Sequence, residues 1–316
     1  MTARPILKTL GHRLFQALLV GLAVGTLTFL LARLLPGDMA FRVAAGRYGY
    51  DNVTGSAADA VRLELGLDQP ALMALGAWLW DLAQFDLGRS LISGEPVIAA
   101  IRHQLGHSAD LAGSAILLSL LIGPPLGILA GLRPGGVLDR ALLPFAAGLR
   151  ALPQFVLGVL LIVLFAVGLG LLPAAGYGTM EHRLLPAITL ALGLAAVSSR
   201  VARDATLAVT ASPYYAFART KGLPEGSAFL RHGLRNIGVP VTAYLGVQLV
   251  YLIEGVVVVE SLFAWPGIGH ALVHAIFARD VPMIQGTALV MALGFVLLNA
   301  LVDLACFGID PRRRKA

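Results

Sequence analysis

Two pairs of histidines have the spacing of metal ligands. His103 and His107 are four residues apart, and so are His270 and His274. On a helix this spacing puts both imidazoles on one face, where a pair can chelate a transition metal. Two histidines leave the rest of a tetrahedral site unfilled, so the sequence predicts no complete metal centre. His270 and His274 are metal candidates only, and the plainer interpretation is that these histidines face solvent or lipid headgroups.

One carboxylate stands in the middle of a long apolar run. Glu254 lies within residues 237–263. An ionisable group at the centre of a bilayer costs at least about 2.5 kcal/mol, so this side chain should face a cavity or a partner. The alternative is that it only accepts hydrogen bonds from a neighbouring helix. Asn299 and Asp303 are four residues apart in another apolar run, but no nucleophile and base accompany them, which argues against an intramembrane enzyme.

The chain has no site for ATP hydrolysis. A phosphate-binding loop needs the pattern G-x-x-x-x-G-K-[ST]. None of the three lysines, Lys8, Lys221 and Lys315, follows a glycine. Any ATP that drives this protein must therefore be hydrolysed on another chain.

The composition indicates a polytopic membrane protein. Hydrophobic residues make up 57% of the 316 residues, charged residues make up 13%, and the mean hydropathy is +0.80. A helix needs roughly 20 mostly apolar residues to cross a bilayer. Six runs are predicted to do so: 14–32, 111–132, 155–172, 185–199, 237–263 and 284–307. Pro144 and Pro153 predict a kinked start to the third span, and the fourth run is the shortest.

The basic residues predict the orientation. With the N-terminus inside, most of the 24 Lys and Arg fall in cytoplasmic segments, as the positive-inside rule requires. Both termini are thus predicted to be cytoplasmic, and the basic charge does not indicate nucleic-acid binding. Arg150 is interpreted as the cytoplasmic start of the third span, where its charge reaches headgroups. The single cysteine, Cys306, excludes an intrachain disulfide.

A basic, partly helical island occupies residues 214–240 between two apolar runs. Pro213 suits the first turn of a helix, and Gly222 followed by Pro224 suits its end. The predicted short helix has an aromatic and apolar face (Tyr214, Phe217 and Ala218) and a basic face (Arg219 and Lys221). It is too short to bind a membrane strongly. The pattern favours docking of a partner.

The sequence of this island, YYAFARTKGL at 214–223 followed by LRHGLRN at 230–236, resembles the EAA loop of ABC importer permeases of the dipeptide, oligopeptide and nickel type. Similar motifs occur in the same order along the chain: RLLPGD at 33–38, LGLDQP at 65–70, DLGRS at 86–90, ESLFAWPGIG at 260–269, RDVP at 279–282 and DPR at 310–312. The chain departs from the family at Ala216, where an acidic residue is usual, and at Phe85, His270 and His274. Ala218 and Gly222 match.

The resemblance implies an all-α type I importer permease fold with six transmembrane helices in the bacterial inner membrane. It implies a second homologous permease subunit, two ATPase subunits that hold ATP and Mg, and an extracytoplasmic solute-binding protein. This chain itself is then a non-catalytic subunit that binds no cofactor. The implied layout is a first helix with the N-terminus (1–33), an extracytoplasmic region (34–106), a five-helix core (107–309) with a coupling loop (200–236), and a basic tail (310–316).

The residues that the resemblance assigns to ATPase coupling are Pro213, Tyr214, Tyr215, Phe217, Ala218, Arg219, Lys221, Gly222, Leu223, His232 and Arg235. Glu254, Gln248 and Asn299 are candidates for the solute path. The solute is expected to be a dipeptide, an oligopeptide or a related small molecule, with nickel or another metal chelate as the alternative. A self-contained secondary transporter is a different class, but the two halves show none of the internal repeats typical of that class.

Overall fold

The computed structural model describes residues 3–34, 37–49, 53–64, 70–84 and 86–309. Helices form the regular structure of these residues, apart from one antiparallel β-bridge between Arg89 and Pro96. The predicted all-α class is therefore confirmed for this part of the chain. In chain order the helices are α1 (Ala3–Leu34), α2 (Met39–Tyr48), α3 (Gly55–Glu64), α4 (Ala71–Ala83), α5 (Val97–Leu132), α6 (Val137–Ala151), α7 (Gln154–Leu161) with a π-helical turn (Ile162–Gly168), α8 (Met180–Thr210), α9 (Pro213–Thr220), α10 (Glu225–Ala228) with a second π-helical turn (Phe229–Gly233), α11 (Leu234–Leu262), α12 (Ile268–Ala278) and α13 (Val281–Ile309).

Four helices among the described residues are long and apolar enough to cross a membrane. They are α1, α5, α8 and α13, and they coincide with the first, second, fourth and sixth predicted spans. The fourth span, whose apolar run is the shortest, belongs to a helix of 31 residues. The fifth predicted span coincides with the 29-residue helix α11, in which four side chains lie outside the description, so its crossing stays a prediction.

The kinked start predicted for the third span is confirmed at Pro153, whereas Pro144 lies inside α6. The chain breaks after Ala151, and α6 and α7 meet at an angle of 106°. Pro153 is the cause, because it lacks an N–H group and pushes the preceding residue out of the helical region. Leu152 accordingly has a ψ of 131°. Only the two segments together are long enough to cross, and the helical part ends at Gly168 rather than at residue 172.

Several predictions concern residues outside the description. They include Leu35 and Pro36 of the first motif, residues 65–69, Phe85 and the tail 310–316. The side chains of Glu254, Asp303 and Cys306 also lie outside it.

The described residues fall into two compact units. The first comprises residues 3–108 and 266–297. The helical spacing of residues 57–65 and 69–82 predicts two helices, and α3 and α4 confirm them, whereas α2 was not predicted. Helices α2 and α3 pack on each other through small residues, and a second core joins the start of α5 to α12 and α13. The buried residues of the two cores are Ala40, Val43, Ala44, Ala58 and Val61, then Val97, Ile101, Ile268, Ala275 and Met283.

The second unit, residues 109–265 and those from 298 onward, is built on α8 and α11. Its apolar core combines one face of each helix with residues from α5 and from the segment after α11. The fully or almost fully buried members are Leu111, Ala115, Leu185, Ala187, Leu190, Leu194, Leu252, Val256, Val259, Phe263 and Trp265.

Glycines at every fourth position bring α5 against α8 within the second unit. An added Cβ would overlap the Ser198 hydroxyl at Gly123 and the Ser199 carbonyl at Gly127. At Gly131 it would lie 2.7 Å from the Arg203 carbonyl oxygen. Small residues at this spacing let the backbones of membrane helices approach closely, so close packing of α5 on α8 depends on these three positions.

Candidate functional site

Helix α9 is bounded by the residues that predicted it. Ser212 precedes it with extended backbone, and Pro213 takes the first helical position. The last turn ends at Thr220, and Gly222 follows with a φ of +82° while its N–H donates to the Arg219 carbonyl oxygen at 3.0 Å. A positive φ is the usual way to end a helix, and glycine adopts it at little cost.

The two sides of α9 differ from the predicted faces. Tyr215, 3% exposed, and Ala218 face inward, whereas Tyr214 and Phe217 are 45% and 60% exposed. The predicted face that grouped Tyr214 and Phe217 with Ala218 is therefore wrong. Residues 215 and 218 are three apart and share a face, as do residues 214 and 217, since a helix turns every 3.6 residues.

The inward side of α9 belongs to a small core that joins several elements of the second unit. Tyr215 and Ala218 cluster with Val209 at the end of α8, Ala228 of α10 and Ile237 of α11. Partly buried residues complete this cluster: Ile128, Ala205, Leu223, Phe229 and Val241. Helix α9 is thus packed on the ends of both long helices that flank it.

The outward side of α9 is aromatic and basic. Arg219 and Lys221 are exposed beside Phe217. The Lys221 ammonium lies 4.8 Å from the centre of the Phe217 ring, a cation–π geometry. This surface presents two rings and two positive charges to solvent.

The other predicted coupling residues lie on the segment that leads into α11. His232 is half-buried within the π-helical turn, and Arg235 is exposed at the start of α11. Gly233 contacts the Phe229 ring, which an added Cβ would approach to 2.9 Å. Single π-helical turns often mark functional sites in helices. Here one separates α10, which packs with α9, from the long helix α11.

An ion pair fastens α6 to α8 in the same unit. The Arg203 guanidinium donates two hydrogen bonds to the Asp139 carboxylate. Gly135 N–H donates to that carboxylate at 2.9 Å, and Arg203 also contacts Asp204 at 3.0 Å. Asp139 is almost fully buried, and a buried carboxylate needs such partners. The pair therefore fixes the turn at 133–136 against α8.

Of the three candidates for a solute path, Gln248 has the clearest environment. Its side chain is buried on α11, its amide N–H donates to the Leu194 carbonyl, and its amide oxygen has no hydrogen-bond partner among the described residues. It borders a cavity of about 40 Å³ at the break between α6 and α7. Asn299 is half-buried on α13 and does not border this cavity. Glu254 is on α11, and its side chain lies outside the description.

Motifs that are far apart in the sequence meet in the first unit. The Asp280 carboxylate accepts hydrogen bonds from the Ser90 hydroxyl and from Leu91 N–H, the latter at 3.0 Å. Arg279, with a φ of +54°, donates to the Gly37 carbonyl at 3.3 Å. The DLGRS and RDVP motifs and the end of RLLPGD are therefore one structural junction.

Arginines tie α2 and α3 to this junction. Arg47 binds both carboxylate oxygens of Glu64, at 2.7 and 3.1 Å, and donates to the Leu91 carbonyl at 2.5 Å. Arg62 contacts Asp38 at 2.6 Å and Asp59 at 3.0 Å. The hydrogen bond from Arg47 lowers the pKa of Glu64 below its usual value.

The histidine pairs have Nε2 atoms that face each other. The separation is 3.3 Å between His103 and His107 and 3.1 Å between His270 and His274. Three of these residues, His103, His270 and His274, border a cavity of about 430 Å³ within the first unit. Burial, with a smaller effect of His274, lowers the pKa of His270. The described residues contain no group of three His, Cys, Asp or Glu able to hold a metal, so His270 and His274 are still candidates only.

The sequence matches a known family and similar proteins of known class. Residues 123–315 match the family described as the binding-protein-dependent transport system inner membrane component. The chain belongs to this family. It is 39% identical over 310 residues to a putative peptide transport system permease protein of Brucella abortus, a match that covers 96% of this chain and 97% of the relative. It is 37% identical over 312 residues to a probable peptide ABC transporter permease protein of Sinorhizobium fredii, covering 96% and 98%. It is 38% identical over 293 residues to the glutathione transport system permease protein of Pectobacterium atrosepticum, covering 93% and 94%.

The permease is thus a non-catalytic, multi-pass inner membrane subunit of an ABC importer. The resemblance found from the motifs is confirmed. A binding-protein-dependent system also implies a binding protein and ATPase partners.

The structure brings together most of the predicted coupling residues of the permease and adds features that sequence reasoning missed. The glycine repeat on α5 was readable, because Gly123, Gly127 and Gly131 have the spacing of packed membrane helices. The Asp139–Arg203 pair had no local signal, since its members are 64 residues apart.

Proposed function

We propose that the permease is the transmembrane subunit of an ATP-driven importer of peptides. The observation that carries this proposal is the similarity to the Brucella relative named for peptide transport, 39% identical over 96% of this chain. The similarity to a glutathione permease supports the same solute class, because glutathione is itself a tripeptide. The match covers the spans and the coupling segment alike.

We propose that the working complex contains a second homologous permease, two ATPase subunits and an extracytoplasmic binding protein. ATP and Mg²⁺ are then held by the ATPase subunits. The permease crosses the membrane six times with both termini in the cytoplasm, α6–α7 and α11 being the third and fifth spans. Support comes from the distribution of its Lys and Arg residues. In this layout residues 34–106 are outside and residues 200–236 form the coupling loop of the 107–309 core.

We propose that α9 transmits movement of an ATPase subunit to the membrane spans. The exposed rings of Tyr214 and Phe217, with Arg219 and Lys221, form the docking face. Since the opposite side of α9 packs on Val209 of α8 and Ile237 of α11, a push on the docking face moves the ends of both spans. Aromatic and arginine residues are the usual anchors of a protein interface.

The test is transport by the complete complex in proteoliposomes. We expect a labelled dipeptide to accumulate only when ATP is inside and the binding protein outside. A complex whose ATPase subunits cannot hydrolyse ATP is the control. Glutathione and a nickel–histidine chelate are assayed in parallel to define the solute class.

Two results contradict the proposal. Uptake of the nickel chelate without uptake of any peptide would assign the permease to metal import. Uptake by the permease alone, driven by an ion gradient, would make it a secondary transporter.

A further inference from the structure

Two pairs of histidines in the first unit have the geometry of a chelate. His103 and His107 lie about one turn apart on α5, and His270 and His274 lie about one turn apart on α12. Their Nε2 atoms are separated by 3.3 and 3.1 Å. The ring planes are inclined by 90° and 72°, so each pair is joined through its Nε2 atoms and not by stacking.

These separations match the distance between two imidazole nitrogens on one metal ion. A transition metal binds an imidazole nitrogen at about 2.0–2.1 Å. Two such bonds place their nitrogens about 2.9 Å apart at a right angle and about 3.3–3.4 Å apart at a tetrahedral angle. Both observed separations fall within this range. A metal ion can therefore join either pair with little movement of the rings.

The same contact is a hydrogen bond in one arrangement of the protons. Two neutral imidazoles share a hydrogen bond when one Nε2 carries a proton and the other Nε2 accepts it. A metal ion instead takes a lone pair from both Nε2 atoms, and the proton then resides on the Nδ1 atom of the same ring. Metal binding thus exchanges one hydrogen bond for two coordinate bonds.

The pair on α12 borders a cavity whose charge favours a cation. His270 is half-buried, His274 is exposed, and both border the cavity of about 430 Å³, as does His103. The described residues around this cavity also include the carboxylates of Glu95 and Asp280, but no Lys or Arg. A cleft lined by one sign of charge raises the local concentration of ions of the opposite sign. The cavity therefore attracts cations to the edge where the two imidazoles lie.

We propose that His270 and His274 bind one divalent transition-metal ion, of the class of Zn²⁺ or Ni²⁺, with water in the remaining coordination positions. Imidazole suits these ions, whereas Mg²⁺ and Ca²⁺ prefer oxygen ligands. The cavity has room for the waters, since each needs only about 30 Å³. No third His, Cys, Asp or Glu joins the pair among the described residues, so the site is open to solvent. The pair on α5 has the same spacing, but only His103 of that pair borders the cavity.

A metal ion in this site joins two successive turns of α12. The helix has 11 residues, a length at which an isolated helix is marginal. Its start is held by a hydrogen bond from Ile268 N–H to the Ser108 hydroxyl at 2.8 Å, and Ile268 and Ala275 are buried in the core shared with α5 and α13. His270 and His274 lie between these two contacts. A bound ion should therefore slow local opening of α12.

The test measures Zn²⁺ binding to the complete reconstituted complex by equilibrium dialysis in excess Mg²⁺. All proteins carry His103→Gln, which removes the other histidine pair. In this background His270→Gln and His274→Gln should each lower the affinity for one Zn²⁺ per permease at least about 10- to 100-fold, the loss that outer-shell changes already cause. His274→Cys should still bind Zn²⁺, because a thiolate is also a zinc ligand. Zn²⁺ should slow hydrogen exchange in α12 of the background protein and not in His270→Gln.

His182→Gln is the matched control, because His182 contacts the Thr179 hydroxyl at 2.7 Å and does not border the cavity. Assembly of each variant is checked by co-purification of all subunits. Equal Zn²⁺ binding by His270→Gln and the background protein would overturn the proposal, since the pair would then only share a hydrogen bond. So would an equal loss in His182→Gln, which would show adsorption of the ion at surface histidines. The binding measurement involves no solute, so its result is separate from whether the complex imports peptides.

Discussion

Gly222 offers the sharpest test of the proposal that α9 transmits force. Its φ of +82° lies where residues with a Cβ are strained, and an added Cβ would meet nothing within 4 Å. A substitution here therefore changes the backbone preference without creating a clash. The left-handed conformation costs a residue with a Cβ about 1–2 kcal/mol, and more for a β-branched one, whereas asparagine tolerates it. Since about 1.4 kcal/mol is a factor of ten in an equilibrium constant, Gly222→Val should lower the equilibrium constant for forming the native end of α9 by at least about tenfold.

The chain offers a matched control four residues away. Gly226 lies within α10, and an added Cβ there also meets nothing within 4 Å, but its φ is not positive. Gly226→Val thus adds the same side chain to the same segment without the backbone strain. We expect the order of effects Gly222→Val, then Gly222→Ala, then Gly222→Asn, with Gly226→Val close to wild type.

The assay is the number of ATP molecules hydrolysed per peptide imported into proteoliposomes. Gly222→Val should raise this ratio about tenfold or more while the subunits still assemble. Coupled transport at the wild-type ratio in Gly222→Val would refute the idea that α9 acts as a rigid lever. An equal effect of Gly226→Val would show that side-chain bulk, and not backbone geometry, is responsible.

Three further predictions follow from burial, close packing and charge. Tyr215→Ala should destabilise the permease by about 3 kcal/mol or more in thermal unfolding. Phe217→Ala should leave stability within about 0.5 kcal/mol but weaken co-purification of the ATPase. Equal stability losses in the two variants would contradict the assignment of a buried and an exposed face to α9. Gly127→Val should push α5 from α8 and lower the melting temperature. Gly113→Val is the control and should not lower it, because Gly113 lies on the same helix with open space around it. Similar melting temperatures of the two variants would refute the glycine contact. Because its pKa is lowered, Glu64 should stabilise α2 and α3 fully above the ordinary glutamate pKa and lose that effect as pH falls through its own pKa. Hydrogen exchange corrected for its intrinsic pH dependence should show this loss, and Glu64→Gln should abolish it.

The proposed coupling segment shows how far local patterns reach. Proline at the first position of a helix and glycine after its end are dictated by the backbone itself, so Pro213 and Gly222 gave the bounds of α9 closely. The assignment of faces was wrong because a helix of eight residues has too few turns for the sequence to show which side meets the protein. Contacts with Val209, Ala228 and Ile237 decided that Tyr215, and not Tyr214, is buried.

The third span shows where length and hydropathy stop being informative. Prolines at 144 and 153 indicated a kink, but the angle of 106° depends on how α6 is held against α8. The Asp139–Arg203 ion pair contributes to that hold. The sequence does not show that Asp139 meets Arg203, or that the amides of Gln154 and Gln248 lie beside the break. Side chains that are distant in the chain meet only through packing.

The sequence by itself determined the class of the protein. Long apolar runs with flanking basic charges indicate a polytopic membrane protein, and the missing phosphate-binding loop indicates that any ATP is hydrolysed on another chain, because each depends on residue type and spacing alone. The importer permease class came from the resemblance of the ordered motifs to that family. Only the tertiary structure decided which motif residues meet, as Ser90 and Asp280 do, and which polar groups are left with unused acceptors, as Gln154 and Gln248 are. The physical reason is that a contact's partner and a side chain's burial depend on the packing of helices far apart in the sequence.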